Sequence, residues 1–197
     1  MDFDSVIKKR KSVRSFRPRK PNYKDIIEAI DAAIQAPFAN SRCHLHYILI
    51  ENPKTIEQIS KLAEQLWITE SNFLAVVCSD DTDLENAYGE RGRIYSRQQA
   101  GASIQNFLLK LTDLGLSTCW VGSYSDRAIR KLLSVPSNVQ IEAIIPIGYG
   151  RPAPSPRRKE RKIENYIYWE EWKKWRRPTF FKEPPTIHQP SELSFTK

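Results

Sequence analysis

Apolar positions along this 197-residue chain recur at two spacings, which predict helices and strands in turn. In residues 24–35 they recur every three or four positions, with Asn22 as a candidate N-cap and Pro37 closing the segment. Residues 45–50 instead form a mostly apolar run, which is typical of a buried strand. The chain therefore begins with an amphipathic helix followed by a strand.

The alternation of helix and strand continues to residue 147. The predicted elements are a helix at 53–66, a strand at 73–78, a long helix at 94–114, a strand at 117–121, a helix at 125–135 and a strand at 140–147. Polar residues 79–83 predict a turn, and Gly115 is a natural end for the long helix. This order indicates an α/β or α+β layer structure with one mixed central sheet.

The last of these strands carries an alternating pattern. Ile141, Ala143, Ile145 and Ile147 stand at every second position. Because successive side chains of a strand point to opposite faces, we expect these four on one face of the sheet.

Composition changes after Gly150. Residues 151–162 are rich in proline and charge, which predicts a connection or arm rather than a packed element. Five large aromatic residues follow: Tyr166, Tyr168, Trp169, Trp172 and Trp175. That much apolar surface needs something to cover it, and a partner subunit is a reasonable candidate.

The overall composition points to a soluble protein of a reducing compartment. Hydrophobic residues make up 40 % of the chain, with no apolar run long enough to span a membrane and no secretory signal at the start. We therefore expect a cytoplasmic location and no membrane partner. The three cysteines are widely spaced and odd in number, so no disulfide framework is expected. Cys43, His44 and His46 lack a convincing zinc spacing, and we assign no metal.

Net charge is +8, and its distribution is uneven. Residues 1–20 and 151–197 each carry +6, whereas residues 21–150 carry −4. Two remote basic segments either converge on one anion or are solvated tails, and charge alone favours the tails.

Common nucleotide-binding motifs and hydrolase motifs are missing from the sequence. Its scattered glycines form neither a P-loop nor a dinucleotide fingerprint, and its three histidines accompany no nucleophile motif. An enzyme of this kind would need a cofactor to carry its chemistry.

The most informative stretch is residues 7–16. Arg10, Ser12 and Arg14 alternate there, so in an extended segment they would project to one side. Two guanidinium groups with a hydroxyl between them suit a phosphate monoester through charge-assisted hydrogen bonds. The pattern is compatible with an anion clamp, but taken alone it favours a solvated basic terminus.

This stretch resembles the N-terminal Arg-x-Ser-x-Arg-x-Phe motif of the FMN-dependent nitroreductases. Later segments agree with that family in order and spacing: 36–41, 105–109, 114–122, 133–136 and 145–149. The resemblance covers roughly residues 5–172. No single segment is decisive, but their colinearity is specific.

The resemblance implies a fold and an assembly. The family's fold is α+β with three layers, in which a mixed, mainly antiparallel central sheet is flanked by helices. Residues 1–165 would form the FMN-binding domain. Residues 166–197 would be an extension that packs on the partner subunit, as an arm exchanged in a homodimer.

The resemblance also implies site residues. Arg10 and Ser12 match the positions that hold the FMN phosphate, Lys11 lies beside them, and Arg14 matches the position facing the pyrimidine edge of the ring. Further matching positions are Val121, Gly122 and Ser123 in the loop passing the reactive ring nitrogen, and Lys159 and Arg161, which return to the phosphate. A backbone N–H of that loop would be the donor.

The chain departs from the family in its second loop. Ser41 and Cys43 stand where the family usually has Asn and Gln, with Asn40 one position early, so Asn40 and Ser41 are kept as candidate flavin contacts. The other departures are Gln99, where the family commonly has an acid, and His44-Leu45, where it has Pro-Trp.

The implied activity is that of a ping-pong oxidoreductase. NADH or NADPH would reduce FMN, and a nitroaromatic, quinone or related electrophile would receive the electrons. No catalytic side chain is expected, since the flavin carries the chemistry. A deazaflavin-linked or dehalogenating reaction on the same fold and flavin is an alternative that substrate tests separate.

Nucleic-acid binding is the alternative from another class. The sequence has a pI of about 9.4, and Trp169, Trp172 and Trp175 are interleaved with cations. Their spacing of three equally suits a helix packed on a partner subunit. Steep salt dependence would favour nucleic acid, whereas a yellow purified protein would favour flavin.

Overall fold

A computed structural model describes residues 1–152 and 161–178 of the chain. By its contacts the chain separates into two units, Met1–Ala153 and Pro154–Lys197. The described part of the first unit holds the sheet and its helices, and it confirms the α+β class.

Helices and strands alternate along the first unit. The helices are α1 (Phe3–Lys9), α2 (Tyr23–Ala33), α3 (Pro53–Leu62), α4 (Thr82–Tyr88), α5 (Glu90–Asp113) and α6 (Asp126–Leu133). The strands are β1 (Leu45–Ile50), β2 (Phe73–Asp80), β3 (Ser117–Thr118) and β4 (Val139–Gly148). Short 3₁₀ turns lie at Ala39–Ser41 and Leu66–Glu70.

Asparagine side chains begin two of the helices, as their sequences predict. The Oδ1 atom of Asn22 accepts the N–H of Lys24 at 3.1 Å, which caps α2. Asn52 does the same for Lys54 at 3.0 Å in α3, where Pro53 occupies the first turn. These caps satisfy backbone donors that the helix itself cannot pair.

The four strands form one sheet in the order β1-β2-β4-β3, and all three pairings are antiparallel. An isolated parallel bridge joins Ser12 to Thr118 of β3. A mixed, mainly antiparallel sheet is therefore confirmed. β3 is shorter than predicted, but Val121 continues its line as an isolated antiparallel bridge to Ile144.

The sheet is packed on both faces, which gives three layers. On one face Phe73, Ala75 and Val77 of β2 join a core formed with α2 and α5. On the other face Leu74, Val76 and Cys78 join a core formed with α3 and α6. Because both faces of β2 are buried, its sequence is an apolar run without alternation.

The prediction for β4 is wrong at Ile141. Val77 pairs with Ala143 and Cys78 pairs with Ile141, so Glu142 is an extra residue at a bulge. The bulge reverses the alternation of faces. Ala143, Ile145 and Ile147 pack on the α2/α5 side, while Ile141 packs on the α3/α6 side.

Glu142 belongs to a buried polar network. Its carboxylate accepts the Ser79 hydroxyl at 2.5 Å and lies 2.5 Å from the guanidinium of Arg97. The same guanidinium contacts Asp81, which also accepts the Ser96 hydroxyl at 2.5 Å. Burial raises the pKa of Glu142, while the Ser79 hydrogen bond and the charge of Arg97 act to lower it.

Two helices were not predicted. In α1, the Asp2 carboxylate caps the helix by accepting the Ser5 N–H at 2.9 Å. The turn predicted at residues 79–83 is wrong, because β2 continues to Asp80 and α4 begins at Thr82. Ser79 and Asp81 are buried and contact Arg97 of α5, whereas Thr82 and Asp83 are exposed.

The second unit is described from residue 161 to residue 178. It holds a 3₁₀ turn, Ile163–Tyr166, followed by bends and turns rather than a helix. The ring of Tyr168 packs edge-on against Trp172 and Trp175, with centroids 4.7 and 4.4 Å away. In the described part of the chain no helix has both the length and the apolar character needed to cross a membrane.

Candidate flavin-binding site

The predicted anion clamp lies on an extended stretch, residues 10–17, which we call the clamp segment. It runs along the open edge of β3. Arg10 ends α1, and from there the chain becomes extended. The N–H of Val13 donates to the carbonyl of Thr118 at 2.8 Å, beside the Ser12–Thr118 bridge. Further along, Phe16 forms an antiparallel bridge to Gly150. The segment is thus an extra edge of the sheet.

Arg10, Ser12 and Arg14 all influence the pKa of one thiol, that of Cys119. Burial raises the pKa of Cys119, and the charge of Arg14, hydrogen bonds from Ser12 and Arg14, and the charge of Arg10 all lower it. All three side chains therefore act on the same sulfur atom. This matches the alternation predicted from the sequence, which places them on one side of an extended segment.

Lys11 lines a separate cavity. This space of about 90 Å³ is bounded by Lys9, Lys11 and Val13 together with Gly115 and Ser117. Lys11 and Val13 hold odd positions, as alternation along the extended segment requires, whereas Lys9 is the last residue of α1. The assignment of Lys11 to a cofactor site stays a prediction.

Asn40 and Ser41 lie in the 3₁₀ turn after α2, and both have left-handed backbone angles, with φ of 56° and 52°. The Oδ1 atom of Asn40 accepts the Tyr88 hydroxyl at 2.7 Å. Asn40 also lines a cavity of about 500 Å³ with Arg42 and His44. The Asn40 side chain contacts α4, and the role of Asn40 and Ser41 toward a flavin stays a prediction.

The loop after β3 offers backbone donors. Val121 is buried, and both its N–H and its carbonyl are paired with Ile144, so it cannot donate to a ligand. Gly122 and Ser123 are exposed, and in the part of the chain that the structure describes neither N–H donates a hydrogen bond. They are the two candidates for the predicted backbone donor.

The structure describes only part of the second basic segment, residues 151–197. Lys159 lies outside the described residues, and Arg161 is an exposed residue of the second unit. Their predicted return to the phosphate stays a prediction.

Two departures from the family pattern coincide with unpaired polar atoms. Nε2 of His44 and Oε1 of Gln99 are buried and have no hydrogen-bond partner among the described residues. Cys43, in the same loop as His44, is exposed. Buried polar atoms are normally paired, so these two positions are where an added group or a partner would be expected to bind.

Sequence reasoning missed three residues that contact the clamp segment. The guanidinium of Arg14 lies over the ring of Trp67, 6.0 Å from its centroid. The Glu70 carboxylate accepts the N–H of Phe16 at 3.0 Å. Nε of Arg151 donates to the carbonyl of Phe16 at 2.7 Å. Nothing local in the sequence marks these residues, because the contacts join positions far apart in the chain.

Comparison with known proteins identifies the family. The model described as Nitroreductase family matches residues 7–87 and 62–149. A protein of Methanothermobacter thermautotrophicus, named as an NADH dehydrogenase/NAD(P)H nitroreductase, is 30 % identical over 87 % of this chain and 88 % of its own length. The iodotyrosine deiodinase of Thermotoga neapolitana is 27 % identical over 73 % of this chain and 86 % of its own.

A solved structure agrees in fold. It is the FMN-dependent nitroreductase of Clostridium difficile, with a TM-score of 0.72 and 18 % identity over 85 % of this chain and 98 % of that one. Fold, site and relatives together define a flavin-dependent oxidoreductase. The chain belongs to the nitroreductase family.

Proposed function

We propose that this protein binds FMN through Arg10, Ser12 and Arg14 and passes electrons from NADH or NADPH to a nitroaromatic, quinone or related electrophile. The observation that carries the proposal is that the segment with these three side chains is bridged to β3 at Ser12 and Thr118, close in sequence to a loop whose Gly122 and Ser123 N–H groups donate no hydrogen bond within the described residues. The name of the archaeal relative and the FMN dependence of the solved structure support the cofactor and the donor.

Each residue of the clamp has a chemical task. The guanidinium of Arg10 and the hydroxyl of Ser12 suit the phosphate of FMN, because forked N–H groups match phosphate oxygens in geometry and charge. Arg14 would place a cation at the pyrimidine edge of the ring. A fixed positive charge there stabilises the negative charge that accumulates when the ring is reduced.

The ring of Trp67 limits where the Arg14 guanidinium lies. A donor from Gly122 or Ser123 would meet the ring nitrogen. FMN, when bound, would supply the redox chemistry by taking a hydride from the nicotinamide and giving electrons to the acceptor.

We propose that the active form is a homodimer, with the aromatic extension packed on the partner. Trp172 is 79 % exposed and Trp175 is 53 % exposed, which is unusual for large apolar side chains. The orphaned atoms of His44 and Gln99 would be satisfied at such an interface or by the flavin. Lys11, Asn40, Ser41, Lys159 and Arg161 are proposed as further cofactor contacts.

Dehalogenation is the second candidate reaction. It is favoured by the likeness to an iodotyrosine deiodinase, with 27 % identity. Release of iodide from 3-iodotyrosine by the reduced enzyme, at a rate above that of nitroaromatic reduction, would favour this reaction over the first.

The cofactor proposal is tested by titrating the protein with FMN and with riboflavin, which lacks the phosphate. The wild type should bind FMN at least about tenfold more tightly, and Arg10→Ala should lose most of that preference because its charge-assisted phosphate contact is gone. Arg17→Ala, in the same segment but at an odd position, is the matched control and should keep the preference. Equal affinity of the wild type for both flavins would contradict the assignment.

The redox proposal is tested on the flavin-loaded protein without oxygen. NADH or NADPH should bleach its visible bands, and an electrophile should restore them. Steady-state rates with both substrates varied should give parallel double-reciprocal lines, the pattern of a ping-pong mechanism. A bound flavin that neither nucleotide reduces would overturn the proposed donor.

A further inference from the structure

We infer that Glu70 is a positioning residue for the flavin, which acts by fixing the register of the clamp segment. The inference rests on the proposed function, since it concerns how Arg10 and Ser12 reach a phosphate. Glu70 does not belong to the clamp, and it follows no motif of the sequence.

The carboxylate of Glu70 contacts two consecutive residues of the clamp segment. One of its oxygens accepts both the Ser15 hydroxyl, at 3.1 Å, and the Phe16 N–H, at 3.0 Å. Arg151 contacts both Phe16 and Glu70. Its Nε atom donates to the Phe16 carbonyl at 2.7 Å and lies 4.0 Å from the same Glu70 oxygen. Both backbone polar groups of Phe16 are thus held by charged side chains.

These contacts act where the segment is joined to the sheet at a few points. Besides the bridges at Ser12 to Thr118 and at Phe16 to Gly150, backbone hydrogen bonds run from Val13 to Thr118, from Arg17 to Tyr149 and from Arg151 to Ser15. The Glu70 carboxylate adds side-chain hydrogen bonds at Ser15 and Phe16, and these favour the observed register over its neighbours.

A change of register would exchange the two faces of the segment. Side chains alternate along an extended chain, so a slip by one residue would move Arg10 and Ser12 away from Cys119 and bring Lys11 and Val13 in their place. Positive charge would remain nearby, but without the hydroxyl and with one fewer guanidinium fork. Loss of Glu70 should thus impair recognition of the phosphate more than binding of the ring.

The local charges agree with this role. Glu70 stands among cations, with Arg151 in contact and Arg14 two residues before Phe16. A carboxylate at this place draws a basic segment toward the Leu66–Glu70 turn, which also presents the Trp67 ring to Arg14. One short turn therefore holds the segment at two points.

The test compares affinities for FMN and riboflavin in Glu70→Ala, Glu70→Gln and the wild type. In Glu70→Ala the FMN preference should fall at least about tenfold, since the phosphate contacts depend on register. Glu70→Gln retains an oxygen that can accept from Ser15 and Phe16, so it should recover most of the preference. Glu57→Ala, which removes an exposed carboxylate paired with Lys61 at 2.7 Å, is the matched control.

The ratio of the two affinities separates positioning from general damage. A merely structural role would weaken FMN and riboflavin binding alike, or lower the unfolding midpoint, and leave the ratio unchanged. That result would overturn the inference. If Glu70→Ala fails to fold, Arg151→Ala tests the same contact from the carbonyl side and should lower the ratio in the same direction, whereas an unchanged ratio would again overturn it.

The failure of the proposed function would look different. A wild-type protein that does not distinguish FMN from riboflavin would remove the phosphate clamp itself. A wild type that prefers FMN, with a Glu70→Ala variant that prefers it equally, would leave the clamp in place and reject Glu70 as its positioning residue.

Discussion

The ring of Phe16 fills the space that a side chain at Gly148 would need. A Cβ atom built on Gly148 would lie 2.8 Å from Cδ1 of Phe16, whose own exposure is 1 %. Gly148 is the last residue of β4, and Phe16 lies two residues after Arg14 of the clamp. The absence of a side chain at residue 148 therefore lets the clamp segment close onto the sheet.

Gly148→Ala should destabilise the protein by about 1–3 kcal/mol, the usual cost of forcing extra volume into a packed site. Urea unfolding followed by circular dichroism measures the change. Because Phe16 would be displaced, FMN affinity should fall as well. An unchanged midpoint would mean that the ring moves aside without cost.

Two glycines of α5 should respond in opposite directions to alanine. A Cβ on Gly92 would lie 2.1 Å from the carbonyl oxygen of Leu84, so Gly92→Ala must displace the backbone of α4 and should cost about 1–3 kcal/mol or more. Gly101 has open space around it, and Gly101→Ala should gain about 0.5–1 kcal/mol from helix propensity. The free energies of unfolding of the two variants, measured side by side, check both. A Gly92→Ala variant as stable as the wild type would contradict the close packing of α4 on α5, and a destabilised Gly101→Ala would contradict the open space at that residue.

Glu142 should make stability fall as pH rises. Burial raises its pKa above the ordinary value of 4.5, so the folded state keeps this proton to higher pH than the unfolded chain does. Between 4.5 and that raised value the folded state binds more protons, and the free energy of unfolding decreases with pH. The glutamine side chain of Glu142→Gln does not titrate. The free energy of unfolding of this variant should therefore decrease less over the same pH range.

Urea unfolding of both proteins at several pH values from 4 upward measures the difference. The stability of Glu142→Gln relative to the wild type should rise with pH. Parallel profiles would show that Arg97 and the Ser79 hydroxyl fully offset the burial of the carboxylate.

Each asparagine cap should contribute about 1 kcal/mol to the free energy of unfolding, a typical value for this kind of hydrogen bond. Asn22→Ala and Asn52→Ala should lower the free energy of unfolding by that amount, because each leaves a backbone N–H of the first turn without its acceptor. Asn22→Asp and Asn52→Asp keep the acceptor and should lose much less. Equal losses for alanine and aspartate would contradict a capping role.

The parts of the fold that local pattern controls could be predicted from the sequence. The strand at residues 45–50 has the predicted bounds, and α2 begins at the predicted cap. The segment of Arg10, Ser12 and Arg14 was expected to be extended, and it is bridged to β3 at Ser12. In each case the signal and the structure lie within the same few residues.

Features set by distant contacts could not be predicted in this way. Ile141 is on the opposite face from its alternating neighbours because Glu142 forms a bulge, and Glu142 is held by Ser79 and Arg97. Glu70 contacts Phe16 across 54 positions, with no local pattern to mark it. A one-residue shift of this kind leaves no trace in periodicity.

The contacts of Phe16 determine when the clamp segment becomes fixed during synthesis. The carbonyl of Phe16 is bound by Arg151, 135 positions later, and its N–H by Glu70. During synthesis the basic segment emerges early and its last anchor late, and contacts of such high sequence separation form slowly. Tight capture of FMN should therefore begin only when translation has passed residue 151, so that the bound cofactor marks a finished domain.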